Sequence, residues 1–135
     1  MRESELFIFC GHGAGERYVR ADKLRAINSC PVALLMGCSS ARLKPDGQFE
    51  PRGMVLSYLM GGCPMAIGNL WDVSDRDIDR FADSLLRRGG VFCSRPQWTA
   101  DGTEPDFASV DSLVRAVVEA RQDVRMKHLI GAAPV

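Results

Sequence analysis

Apolar and polar positions alternate along this chain in blocks. Leu6–Cys10 is a continuous apolar run closed by glycine, the pattern of a short strand buried on both faces. Residues 20–28, "RADKLRAIN", put Leu24 and Ile27 on one side of a short helix, and Val32–Met36 is a second buried strand that again ends at glycine. Residues 50–62 carry a proline near the start, paired glycines at the end, and Val55, Leu56, Leu59 and Met60 near helical spacing, which predicts a helix. "CPMAIGNLW", residues 63–71, predicts a third strand. Residues 74–90 predict a helix with Ile78, Phe81, Leu85 and Leu86 on one stripe, and Ser74 with Asp77 matches a capping box.

Residues 91–108 mix proline, glycine and charge without a period and predict a mobile loop. A last amphipathic helix is predicted over residues 109–129, with Val110, Leu113, Val114, Val117, Val118 and Val124 facing inward and His128 near its end. Strands alternating with helices predict an α/β domain, a mostly parallel sheet with helices on both faces. Three strands are few for such a sheet, so a further part of it is expected upstream.

The 135 residues fit one domain, 1–135, and 17 basic against 17 acidic side chains leave no net charge to favour nucleic acid or an anionic membrane. No apolar run approaches the roughly 20 residues that cross a bilayer. Five cysteines, an odd number without a CxxC pair, and the lack of a signal-like leader predict a soluble chain in a reducing, intracellular setting rather than a disulfide framework.

In open parallel sheets reactive groups collect beyond the carboxyl ends of the strands. Gly11-His12-Gly13 follows the first strand and Gly37-Cys38-Ser39-Ser40 the second, which puts an imidazole and a thiol at equivalent strand ends. A thiol with its ordinary pKa near 8.5 is only a few per cent thiolate at neutral pH, and a neighbouring histidine that takes its proton makes it a nucleophile. The amides of Gly13 and Cys38 would form an oxyanion hole. Other readings stay open at this point. Cys38 as a small buried hydrophobe and His12 as a structural side chain is one. A zinc site from Cys10, His12, Cys30 and Cys38 is another, though it lacks a tetrahedral spacing pattern. A phosphate loop at "GHGAGE" lacks the Lys-Ser/Thr of a P-loop and the third glycine of GxGxxG.

The strings "GHGAGERYV", "LLMGCSSARL", "EPRGMVLSYLMGGCPMAIGNLWDVSDRDIDRF" and "RMKHLIGAAPV" resemble, in this order, the C-terminal catalytic domain of separases, cysteine proteases of the caspase-like clan. The resemblance implies a caspase-like three-layer α/β sandwich, here without its first strand and helix. It implies His12 as catalytic base, Cys38 as nucleophile and the Gly13 and Cys38 amides as oxyanion hole. It implies cleavage after arginine with an acidic residue upstream, no metal and no organic cofactor. Of Asp72, Asp75, Asp77 and Asp79 it points to the "DID" pair, Asp77 and above all Asp79, as the floor that receives arginine, where a carboxylate pairs bidentately with guanidinium. Acids in the first turns of a helix also simply favour its dipole. The implied partners are the kleisin subunit of cohesin as substrate and a securin-like pseudosubstrate inhibitor, in cytoplasm and nucleus during chromosome segregation. A catalytically silent interaction module, a truncated fragment of a longer protease, and a caspase-like protease of other specificity are the alternatives.

Overall fold

A computed structural model of the chain describes residues 6–89 and 110–135. It divides into two compact units, one of residues 1–74 with 133–135 and one of residues 75–132.

In the first unit, β1 (Leu6–Cys10), β2 (Val32–Met36) and β5 (Ala66–Gly68) form a parallel sheet in the order β1-β2-β5. The register pairs Leu6 with Val32 through Cys10 with Met36, and Leu34 with Ile67. The central strand follows from its sequence: Ala33, Leu34, Leu35 and Met36 are all buried, so an unbroken apolar run suits both faces. On one face Ala33 and Leu35 pack with Leu24 of α1 (Ala21–Arg25) and with Val55 and Tyr58 of α2 (Met54–Met60), with Phe7 and Phe9 against the same cluster. The other face buries Leu34, Met36 and Ile67.

β1 departs from the fully buried strand expected of its composition. Among the described residues it is an edge strand, and Ile8 and Cys10 are exposed on the face opposite Phe7 and Phe9. The far edge of β5 is closed by the last three residues. Gly68 and Val135 exchange backbone hydrogen bonds of 3.0 and 2.9 Å, and the Leu70 amide donates to Ala133. The C-terminal "APV", residues 133–135, therefore serves as an added antiparallel edge.

The helix expected over residues 50–62 is shorter, because its first part is a strand. β3 (Lys44–Asp46) and β4 (Phe49–Arg52) form an antiparallel hairpin that turns at Gly47, whose φ of +61° favours glycine, and α2 begins after Gly53. Pro51 fits an exposed edge strand, where its missing N–H costs nothing.

The second unit pairs α3 (Asp75–Arg88) with α4 (Val110–Ala120). α3 buries Ile78, Phe81, Leu85 and Leu86 as its stripe predicts. α4 stops nine residues before the expected end at 129, and its buried stripe is Leu113, Ala116, Val117 and Ala120. Val114 and Val118, expected inside, are half exposed, since the small alanines take the inward positions one turn apart. The chain then runs through turns in which Arg121 donates to the carbonyls of Gly131 and Ala132, and His128 lies there rather than on a helix. The expected loop at 91–108 lies outside the described residues.

Candidate active site

Because β1 and β2 are in register, Gly11 and Gly37 leave the sheet side by side. The Gly11 amide donates to Met36 at 3.4 Å, the last backbone bond of the pair. Beyond it the two loops touch through their main chains. A Cβ on Gly37 would lie 2.1 Å from the carbonyl oxygen of Gly13 and 2.5 Å from that of Gly11. Only glycine permits this approach. In the first loop Gly13 takes a φ of +67°, and the Glu16 carboxylate folds back to accept the Ala14 amide at 2.9 Å. Tyr58, fully buried, donates its hydroxyl to the Ala14 carbonyl, and burial, with smaller contributions from Cys30, Glu16 and Cys63, pushes its pKa up to about 12.

The second loop is held by the segment that follows β5. Ser40, almost fully buried, donates to the Leu35 carbonyl at 2.6 Å and accepts the Asn69 amide at 3.0 Å. The Asn69 side chain, 2% exposed, donates to the Gly37 carbonyl at 3.1 Å. The Ser39 and Ala41 amides donate to the carbonyls of Trp71 and Asn69, and the Ser39 hydroxyl donates to the Asp72 carboxylate. Ser39 has a φ of 53°, the one left-handed non-glycine among the described residues, and it immediately follows Cys38. A residue held in this sparsely populated region persists where its surroundings fix it, and here these six hydrogen bonds do so.

Cys38 is half-buried, and its thiol donates to the Val73 carbonyl at 3.0 Å. Among the described residues the amides of Gly13 and Cys38 have no acceptor, although their neighbours in both loops do. Gly13, Cys38, Ser39 and Asp72 line an open cleft of about 780 Å³, which Arg25 and Arg52 also line. His12, next to Gly13, is exposed.

The candidates are thus distributed unevenly. Gly13 and Cys38 share one cleft in the first unit, beside His12. Asp77 and Asp79 belong to α3 in the second unit. Asp77 is buried, accepts the Arg125 amide at 3.0 Å and pairs with Arg80 at 3.5 Å, so its charge is committed inside its own unit. Asp79 is exposed. Cys30 and Cys38 stand before and after β2, so the strand itself, at about 3.3 Å per residue, holds them at opposite ends. Cys30 lies in the core near Cys63, and burial pushes both thiols up. Among the described residues no group of three metal-ligating side chains converges.

Asn69 was not singled out from the sequence. Its signal is a polar side chain directly after a buried strand, where a solvated turn residue is the ordinary expectation. Trp71, at the end of that segment, is 37% exposed.

The family described as "Separin, protease domain" matches residues 1–78. Across 135 residues the chain is 38% identical to separin of Saccharomyces cerevisiae and 44% identical to separin of Mus musculus, in each case over 100% of this chain and over 8% and 6% of those proteins. It therefore spans less than a tenth of the length of these relatives. A crystal structure of the Saccharomyces cerevisiae separase–securin complex is 40% identical with a TM-score of 0.82, over 99% of this chain and 8% of that one. A second structure of that complex gives 39% and 0.79, over 98% and 8%.

Proposed function

The chain belongs to the separin protease-domain family, with that family's α/β fold, and from this premise we propose that it is the nucleophile-bearing part of a cysteine endopeptidase that cuts after arginine. The observation that carries the reading is the main-chain contact of Gly37 with Gly11 and Gly13, which joins the histidine loop to the cysteine loop and leaves two amides with unspent donors.

In this reading Cys38 leaves the Val73 carbonyl and gives its proton to His12 as a peptide enters. The sulfur attacks the carbonyl carbon, and the oxygen takes up the negative charge between the Gly13 and Cys38 amides. Such donors are worth a hundredfold to a thousandfold in rate, about 3–4 kcal/mol. When the C–N bond breaks, His12 returns the proton to the departing amine and an S-acyl intermediate remains. His12 then takes a proton from water, the resulting hydroxide attacks the acyl carbon, and the thiol and a free carboxylic acid are released. Asp79, exposed and without an ion pair among the described residues, is the carboxylate for the scissile arginine. Asp77 is the weaker candidate because its charge is already used. The substrate is the kleisin subunit of cohesin, and the inhibitor is a securin-like chain that occupies the same cleft uncut, in cytoplasm and nucleus. The likeness to separase held with securin supports that partner.

A fluorogenic peptide ending in Glu-x-x-Arg tests the activity, with the Cys38→Ser protein as control. Turnover by the wild type alone, and labelling of Cys38 by an arginine-directed acyloxymethyl ketone, are expected. Equal turnover by both proteins would overturn the nucleophile. A second reading, a silent module with the same fold, is favoured by the thiol's bond to Val73 rather than to an imidazole. It predicts a folded protein that the ketone leaves unlabelled.

A further inference from the structure

The cleft that holds Cys38 does not end at its basic wall. Arg25 and Arg52 line it, and both also line a second hollow of about 500 Å³ that continues between the β3–β4 hairpin and α2. The floor of this hollow is apolar: Phe49 is 77% exposed, Met60 66% exposed, and Leu56 is half-buried between them and the core cluster. Exposed aromatic and thioether side chains gathered at one concave place suit a hollow that takes an apolar group.

The two arginines that divide the hollows are not equivalent. Arg52 is paired with Asp46 on the hairpin. Arg25 uses its Nε to donate to the hydroxyl of Ser57, a fully buried residue of α2, at 3.2 Å. Its two terminal nitrogens have no partner among the described residues. A buried serine thus sets the direction of a guanidinium whose remaining donors are available at the junction of the two hollows.

The geometry points to an apolar subsite: Phe49, Leu56 and Met60 take a large apolar side chain of the substrate polypeptide, beyond an acidic residue held at Arg25 and beyond the bond at Cys38. This rests on the proposed proteolytic reading and extends it. The order follows from the lining. Because Arg25 and Arg52 line both hollows, an extended chain lying in the Cys38 cleft passes them before it enters the hairpin hollow. The positive divide selects a polypeptide with a carboxylate at that point, and Glu50, which also lines the hairpin hollow, disfavours a second acid there. Leucine or phenylalanine is then the side chain that removes the most water from the hollow.

The test is binding, read on the Cys38→Ser protein with fluorescently labelled peptides. They share an acidic residue and an arginine, and a single leucine or glycine is walked through the positions beyond the acid. Leucine is expected to tighten binding by about tenfold at one position. In the Phe49→Ser/Met60→Ser protein the gap between the leucine and glycine peptides is expected to close. Both side chains are largely exposed, and circular dichroism checks that the variant folds. Equal binding of leucine and glycine peptides at every position, a preference that survives in the double variant, or no binding of any peptide would each overturn the subsite. Turnover plays no part in this readout, so failure of the wild type to cut, or of Cys38 to react with the ketone, counts against the proposed activity separately.

Discussion

The side-chain amide of Asn69 donates to the carbonyl of Gly37 at 3.1 Å, so the residue after β5 fixes the peptide that precedes the thiol. Asn69 uses its backbone for the same purpose, giving its N–H to Ser40 and its carbonyl to the Ala41 amide. Replacing it by alanine leaves the buried Gly37 carbonyl only the longer bond from the Ser40 amide, at 3.4 Å, and costs about 1–3 kcal/mol. Urea unfolding of Asn69→Ala is expected to show that loss, together with slower ketone labelling of Cys38. Asn69→Asp is expected to be worse than alanine, since it turns an acceptor and a negative charge toward the Gly37 oxygen. An alanine protein with wild-type stability and labelling would show that the loop holds itself.

Gly37 itself gives a sharper contrast. The missing Cβ faces two main-chain carbonyls at 2.1 and 2.5 Å, and neither belongs to a flexible side chain that can move aside. Gly37→Ala must part the histidine loop from the cysteine loop, at the upper end of the 1–3 kcal/mol typical of overpacking or beyond it, and labelling of Cys38 is expected to disappear. Gly47→Ala is the control. Nothing lies within 4 Å of its Cβ, so only its φ of +61° is strained, for about 1 kcal/mol. That variant is expected to label normally.

These contacts mark what could be read from the residues beforehand. β1 and β2 begin and end as their apolar runs predict, and the two glycine loops follow directly, so the positions of His12 and Cys38 at neighbouring strand ends were legible. The hairpin was not. Lys44 to Arg52 holds one large apolar residue, Phe49, which is exposed, so no period reports the strands; the Asp46-Gly47 pair was the available turn signal. Hydrophobicity alone favours Val114 and Val118 inside, while the burial stripe runs through Ala116 and Ala120. The roles of Asn69 and of the Val73 carbonyl depend on partners more than 30 residues away, which no local pattern encodes.

Asp77 and Asp79 are two residues apart and separate cleanly by experiment. Asp77→Ala removes the acceptor of the Arg125 amide and the partner of Arg80, and is expected to lower stability by about 1–3 kcal/mol. Asp79→Asn touches neither contact and is expected to unfold like the wild type. If Asp79 receives the scissile arginine, its loss removes a charge-assisted pair of about 1.5–3 kcal/mol, roughly 10- to 150-fold in kcat/KM on an arginine peptide. A KM and kcat unchanged by Asp79→Asn would remove that assignment.

Tyr58 makes stability fall in alkaline solution. Its folded pKa of about 12 lies above the value near 10 of an unfolded tyrosine, because the ring and hydroxyl are fully buried. The unfolded chain therefore releases this proton first, and the contribution is complete below pH 10 and lost as pH rises toward 12. Two pKa units correspond to about 3 kcal/mol. The buried thiols of Cys30 and Cys63 are also raised and add a loss that begins lower, near the ordinary thiol range. Tyr58→Phe isolates the phenol. It gives up the hydrogen bond to Ala14, so it is less stable at neutral pH, but between pH 10 and 12 its unfolding free energy is expected to fall by about 3 kcal/mol less than that of the wild type. Parallel curves for the two proteins across that interval would mean that the hydroxyl reaches water in the folded chain.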